Sequence, residues 1–145
     1  PMAGFTKASD SWLPLDPRHA ALAVDVQESD PGSMLAFTRA MIALRRASVA
    51  LREGEFVALD APEPLLVFER RAAGERLLCL FNLGNAPARW TLPTSNAAMR
   101  LAHGDAKVVG GEALLGGYAG LLLEIWSSAR TPVASGTVAS REKLI

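Results

Sequence analysis

The chain has 145 residues, half of them apolar, which is enough to bury one core. Its 15 basic and 15 acidic side chains cancel to a formal net charge of zero. Because nucleic acids and anionic membranes are bound mainly through clustered positive charge, we expect neither as a partner. The sequence also has no run of about 20 apolar residues that would cross a bilayer.

Residues 1–29 contain Gly4, Pro14 and Pro17 and show no sustained hydrophobic period, which predicts an irregular loop. A loop of this length is uncommon inside a compact domain, so we expect it to lie on a surface supplied by another part of a longer protein. The start at Pro1, without an initiator methionine, supports the same interpretation. Any export signal would then belong to the part that precedes it.

A helix is predicted from residue 31 to about residue 48. Asp30 is a suitable N-cap and Pro31 suits the first helical position. Apolar residues then recur at spacings of three and four, namely Met34, Leu35, Phe37, Met41, Ile42 and Leu44. This apolar face is broad, which indicates that other parts of the protein pack around most of the helix circumference.

After Glu53 and Gly54 the hydrophobic period changes to that of β-strands. Turns rich in Gly, Pro and Asn separate eight candidate strands, and Ala72-Ala73-Gly74 joins the second and third as a hairpin. The candidates are residues 55–60, 64–70, 75–82, 88–92, 99–102, 107–109, 112–115 and 121–126. Many short strands predict an antiparallel sandwich or small barrel. Residues 127–145 have no clear period and are interpreted as an extension or a disordered end.

The sequence contains no convincing catalytic or metal-binding set. His19 and His103 lie in predicted loops, without a second histidine or a cysteine at ligand spacing. Pairs of carboxylates can hydrolyse glycosides, but the pairs here lie in polar loops or at strand ends, where solvated charge is the ordinary explanation. These pairs are Asp25 with Glu28, Asp60 with Glu63, and Glu53 with Glu55. We therefore expect no catalytic residue, metal or cofactor in this chain.

Aromatic rings are the candidates for sugar binding, because the C–H face of a pyranose packs on a ring. They are Trp12, Trp90, Trp126 and Tyr118. Trp90 and Trp126 lie in strand patterns, where core packing is expected, whereas Trp12 lies in the predicted loop. The single cysteine, Cys79, lies in an apolar run and is predicted to be buried and inert, which fits a reducing compartment.

Three stretches of the first 60 residues together resemble a known family. They are Ala3-Gly4-Phe5-Thr6 with Ser11-Trp12-Leu13-Pro14-Leu15, Val24-Asp25-Val26-Gln27 with Asp30-Pro31-Gly32-Ser33-Met34-Leu35, and residues 39–46 with Ala50-Leu51-Arg52-Glu53-Gly54. In this order they resemble the segments AGF…WLPV, NV..Q..DP.S.L and R.LI.LR…PAL..G of bacterial α-glucosidases and oligo-1,6-glucosidases. These enzymes form part of glycoside hydrolase family 13, in the α-amylase superfamily. Ser48-Val49 departs from the pattern, since a His-Pro pair is common there.

The resemblance implies a mainly β fold, with an antiparallel β-sandwich of the α-amylase C-terminal domain type. A loop and one helix, the last helix of a truncated (β/α)8 barrel, would precede it. Residues 1–50 would then end the catalytic barrel, residues 51–126 would form the sandwich, and residues 127–145 would be a tail. The expected partner is the missing barrel with its oligosaccharide substrate.

In this family the catalytic carboxylates lie on earlier barrel strands, so the chain is expected to be the non-catalytic C-terminal region of an α-glucosidase. That enzyme would be bacterial, cytoplasmic and specific for terminal α-linked glucose. Because barrel active sites lie where βα-loops gather, Phe5 and Trp12 are candidates for the rim of the substrate pocket.

Two alternatives remain open from the sequence. One is an accessory carbohydrate-binding β-sandwich, against which the aromatic content of 6% argues. The other is the C-terminal region of a glucosyl-transferring or isomerising relative, of the trehalose or sucrose isomerase type, which shares the same pattern.

Overall fold

The computed structural model describes residue 7 and residues 12–126. The chain divides into two compact units, Pro1–Gly54 and Glu55–Ile145. The predicted tail, residues 127–145, lies outside the described residues. Every helix in the described part is too short or too polar to span a membrane.

In its described residues the first unit is helical. Its elements are α1 (His19–Leu22), α2 (Val24–Glu28), α3 (Met34–Ala47) and α4 (Val49–Glu53). The prediction of an irregular loop over residues 1–29 was therefore wrong where α1 and α2 lie. These helices are little more than one turn each, too short to give a hydrophobic period, and they are held by local hydrogen bonds such as that from Gln27 Nε2 to the carbonyl oxygen of Leu22, at 2.7 Å.

The longest helix, α3, starts three residues later than predicted, because Ser33 rather than Asp30 is its N-cap. The hydroxyl of Ser33 accepts a hydrogen bond from the backbone N–H of Ala36 at 3.2 Å and donates one to the carbonyl oxygen of Gln27 at 2.7 Å. The carboxylate of Asp30 instead accepts a bond from the backbone N–H of Gly32 at 2.8 Å. Asp30 therefore stabilises the turn that precedes the helix.

The predicted end of this helix near Ser48 is confirmed. α3 ends at Ala47, with Arg45 and Arg46 in its last turn, where positive charge complements the helix dipole. The hydroxyl of Ser48 then accepts a hydrogen bond from Leu51 N at 3.0 Å and so caps α4, a short helix that the sequence pattern did not predict.

From Glu55 onward the described chain forms antiparallel β-structure, which confirms the predicted fold class. All eight predicted strands are present, with ends that differ by at most two residues from the prediction. They are β1 (Glu55–Ala58), β2 (Leu65–Ala72), β3 (Glu75–Asn82), β4 (Ala88–Thr91), β5 (Ala97–His103), β6 (Ala106–Val109), β7 (Glu112–Leu115) and β8 (Gly120–Ile125). One sheet has the order β1-β2-β3-β8-β5 and the other has the order β4-β7-β6.

A single apolar cluster joins the two sheets of this unit. It takes residues from both sheets at alternating positions, because every second side chain of a strand points to the same face. Its members are Val67, Leu78, Leu80, Leu92, Ala113, Leu115, Ala119, Leu121, Leu123 and Ile125. Trp90 packs against the cluster, as predicted, and its indole N–H donates to the carbonyl oxygen of Asp60 at 3.2 Å.

One end of the β-unit is held together by the side chain of Asn82, the last residue of β3. Asn82 is 2% exposed. Its amide nitrogen lies 2.7, 3.3 and 2.8 Å from the carbonyl oxygens of Ala86, Leu115 and Gly116, and its amide oxygen accepts from Gly84 N at 3.0 Å. These bonds connect the β3–β4 loop to the end of β7.

Replacing Asn82 by alanine is expected to lower the free energy of unfolding by about 3 kcal/mol, because several backbone groups lose their partner in a buried place. Urea unfolding followed by circular dichroism measures this change. The control is Asn85→Ala on the exposed side of the same loop, which should stay within about 0.5 kcal/mol of the original chain. Equal losses in the two variants would contradict this role of Asn82.

Candidate functional site

The residues predicted to lie at the rim of the substrate pocket are Phe5 and Trp12. Phe5 lies outside the described residues. Trp12 is 97% exposed, so its indole ring is not used to anchor the loop. A few residues further on, the turn into α1 is held by Asp16, whose carboxylate accepts bonds from the backbone N–H and the guanidinium of Arg18, both at 2.9 Å.

Asp25 and Glu28, one of the carboxylate pairs considered from the sequence, form separate contacts with other residues. Asp25 Oδ1 accepts from the backbone N–H of Val26 at 3.0 Å, and Glu28 is bound by Arg39 at 2.7 Å. These are contacts of exposed side chains, as expected of solvated charges.

The two histidines belong to regular structure rather than to the loops predicted for them. His19 begins α1 and His103 ends β5. Across residue 7 and residues 12–126, no group of three or more His, Cys, Asp or Glu side chains is placed to hold a metal ion.

The most buried charged side chain of the described chain is Glu69, which the sequence analysis missed. Glu69 lies on β2 and is 2% exposed. Arg71 donates to its Oε2 at 2.6 Å, and Arg76 donates to Oε1 at 3.0 Å and to Oε2 at 2.8 Å. Arg71 and Arg76 are direct partners across β2 and β3, so the hairpin itself brings both guanidinium groups to one carboxylate. The sequence did contain a signal for a buried carboxylate: Glu69 lies two residues after the core residue Val67 and therefore on the same face of the strand.

The electrostatics of this cluster indicate a structural role. Burial alone would raise the pKa of Glu69, but the hydrogen bonds and positive charges of Arg71 and Arg76 outweigh it and hold the pKa below its ordinary value. A carboxylate that stays ionised cannot donate a proton to a leaving group at neutral pH. Because both guanidinium groups come from the hairpin that carries Glu69, we assign the cluster to the stability of that hairpin.

Cys79 is buried, and burial raises the pKa of its thiol to about 11, against a smaller opposing effect of Arg70. The predicted burial of Cys79 is thus confirmed, and because the thiolate is the reactive form, a raised pKa disfavours reaction of this thiol at neutral pH.

The depressed pKa of Glu69 gives a pH-dependent contribution to stability. The contribution is complete above the pKa of an unfolded glutamate, about 4.3, and is lost as the pH falls from there through the lower pKa of the folded state. Glu69→Gln should therefore cost about 2 kcal/mol at pH 7 and should unfold with a shallower pH dependence below pH 4.3. Thermal unfolding at a series of pH values measures both effects.

The control for this experiment is Glu124→Gln. Glu124 is bound by Arg100 at 3.2 Å, and both side chains are more than a third exposed. This variant should keep the acid sensitivity of the original chain. If both variants have the same pH profile, Glu69 is not the group responsible.

Comparisons with known proteins show which family the chain resembles. No family model matches the chain. A probable alpha-glucosidase of Rhizobium meliloti (strain 1021) is 38% identical over 104 residues, which are 72% of this chain and 19% of that protein. The solved structure of the alpha-glucosyl transfer enzyme XgtA is 36% identical, with a TM-score of 0.68, over 79% of this chain and 22% of the other. The chain thus spans about a fifth of the length of the relatives that it matches.

A third comparison concerns the fold alone. The trehalulose synthase MutB from Pseudomonas mesoacidophila MX-45 is 21% identical over 79% of this chain and 22% of the other, with a TM-score of 0.70. The antiparallel β-unit is of the type found as the C-terminal domain in α-amylase-family enzymes. The chain thus belongs to the α-amylase family and matches an α-glucosidase over part of its length, which confirms the family named from the sequence motifs.

Proposed function

We propose that the chain is the non-catalytic C-terminal region of an α-glucosidase that removes terminal α-linked glucose from oligosaccharides. The observation that carries this proposal is the 38% identity to the probable alpha-glucosidase of Rhizobium meliloti. The site geometry supports it, because the one deeply buried carboxylate of the described residues is bound by two arginines of its own hairpin. The reduced, buried Cys79 suits a cytoplasmic enzyme.

We assign residues 1–50 to the end of a catalytic barrel and residues 51–126 to the C-terminal sandwich. The division of the chain between Gly54 and Glu55 supports a boundary in this region. α3 supports the assignment too, because none of its 14 residues is buried, and Met34 and Ile42 are 64% and 46% exposed. Exposed apolar side chains on one helix mark a surface that packs against a partner. In this assignment the partner is the rest of the barrel.

A second candidate function is glucosyl transfer, and the 36% identity to XgtA favours it. The two activities differ in the acceptor that takes the glucosyl group, which is water in hydrolysis and a sugar in transfer. Incubating the whole enzyme with maltose and analysing the products separates them. Glucose alone supports hydrolysis, whereas products longer than maltose support transfer.

The 145-residue chain is expected to show no turnover of p-nitrophenyl α-glucoside, because the resemblance to the α-glucosidases places the catalytic carboxylates on barrel strands that precede it. The whole enzyme, assayed beside it at the same molar concentration, should release p-nitrophenol. Turnover by the chain alone that persists after further purification would overturn the assignment to a non-catalytic region.

Trp12 is proposed to line the rim of the substrate pocket in the whole enzyme. Trp12→Ala should raise KM about three- to tenfold with little change in kcat, because an exposed ring contributes binding that is equal in the ground and transition states. Trp12→Phe should restore most of the affinity, since it keeps a ring. The control Leu22→Ala changes another exposed apolar side chain of the first unit and should leave KM unchanged. An unchanged KM in Trp12→Ala would show that this side chain does not reach the substrate.

A further inference from the structure

The side chain of Gln27, in α2, connects the helices on either side of it. Its amide nitrogen Nε2 donates to the carbonyl oxygen of Leu22, the last residue of α1, at 2.7 Å. Its amide oxygen Oε1 accepts from the backbone N–H of Leu35, in the first turn of α3, at 3.0 Å. One half-buried side chain therefore joins the end of α1 to the start of α3.

The backbone of Gln27 is held at the same place. Its carbonyl oxygen accepts from the hydroxyl of Ser33 at 2.7 Å and from the backbone N–H of Asp30 at 3.3 Å. The first N–H groups of a helix have no partner within the helix. Gln27 and Ser33 supply the acceptors for two of them, those of Leu35 and Ala36. The position of Gln27 is thus fixed against the first turn of α3.

Residues 12–26, which we call the rim segment, begin with Trp12, the residue proposed for the rim of the substrate pocket. The turn that leads into α1 is held by bonds between Asp16 and Arg18, which lie within the segment. Such local bonds give the segment a defined shape. The bond from the glutamine amide to the carbonyl oxygen of Leu22 attaches that shape to the start of α3.

The proposed barrel places this attachment near the chemistry. In a (β/α)8 barrel, the loop after each strand lies on the face that carries the active site, and the helix that follows begins on the same face. If α3 is the last barrel helix, then its first turn, Gln27 and the rim segment belong to that face. The exposed apolar side chains of the segment, including Trp12, Leu22 and Val24, would be displaced together if it came away from α3.

We propose that Gln27 is a positioning residue of the whole enzyme, which holds the rim segment on α3 so that Trp12 reaches the substrate. The proposal rests on the proposed function, from which it takes the barrel and the substrate. It deepens that function by naming the contact that fixes the rim of the pocket. Glutamine suits this role because an amide donates and accepts hydrogen bonds at once.

Gln27→Glu in the whole enzyme separates the attachment of the rim segment from the capping of α3. A carboxylate still accepts from the N–H of Leu35, and negative charge is favourable at a helix N-terminus. It cannot donate to the carbonyl oxygen of Leu22, so the attachment alone is lost. The KM for p-nitrophenyl α-glucoside should rise about three- to tenfold with kcat within about twofold of the original, because ground-state and transition-state binding are lost equally.

A double variant shows whether the effect passes through the tryptophan. In the Trp12→Ala background, Gln27→Glu should change KM by less than about twofold, because a ring that is absent cannot be displaced and coupled residues are not additive. The control is Glu28→Gln, which weakens an exposed ion pair between α2 and Arg39. It should leave KM and kcat unchanged, since exposed pairs contribute little.

Hydrogen exchange of the whole enzyme tests the attachment without an activity assay. Gln27→Glu should speed exchange in residues 19–26 about threefold or more and leave the amides of α3 unchanged. Unchanged exchange in residues 19–26, an unchanged KM, or the full rise in KM in the Trp12→Ala background would each overturn the proposal. An original enzyme that releases no p-nitrophenol would remove the proposed hydrolase function instead, and the exchange result would still decide whether Gln27 holds the segment.

Discussion

The geometry of the β-unit depends on one buried amide. The side chain of Asn82 meets the backbone of Ala86 in the β3–β4 loop and that of Leu115 and Gly116 at the end of β7, which lie 33 and 34 residues beyond Asn82 in the chain. The amide suits this role, because its NH2 group donates hydrogen bonds and its oxygen accepts one. A carboxylate or a hydroxyl in its place could form only some of these hydrogen bonds. Through these bonds Asn82 holds the crossing from one sheet to the other against the turn that precedes β8.

Glu69 likewise connects two segments of the chain through a single polar side chain. Two arginines that face each other across a hairpin would repel, and the carboxylate between them turns this repulsion into an attraction. The arginine side chains remain partly exposed, which limits the cost of removing charge from water. In both clusters the polar groups specify which backbone segments meet, while the apolar cluster between the sheets supplies the general driving force.

Much of the fold was predictable from the sequence because strands show their period locally. The hairpin of β2 and β3 was visible in two apolar runs separated by a glycine turn. The start of α3 was not, because Asp30 and Ser33 are equally good caps in isolation, and contacts of Ser33 with Gln27 decide between them. Glu69 was missed for a related reason: in the sequence Glu69-Arg70-Arg71 it resembles a solvated strand end, and the partner that completes the cluster, Arg76, lies on the next strand.

The functional site was less predictable than the fold. Trp12 was chosen from its place in a motif, and the structure adds only that its ring is exposed. Tyr118 was considered from composition alone, and its side chain is exposed as well. The family could be identified because its motifs are short and continuous.

The order of strands in the larger sheet also affects how this protein is made. β8 is the last strand of the described residues, yet it lies between β3 and β5. A ribosome that has released residues up to about 110 has delivered both neighbours but not the strand that joins them. Until residue 125 emerges, β3 and β5 each expose an unpaired edge, the feature by which nascent β-proteins associate wrongly. Completion of the sheet is thus coupled to completion of synthesis of this region, and a premature stop in β8 would leave an open sheet rather than a slightly shorter one.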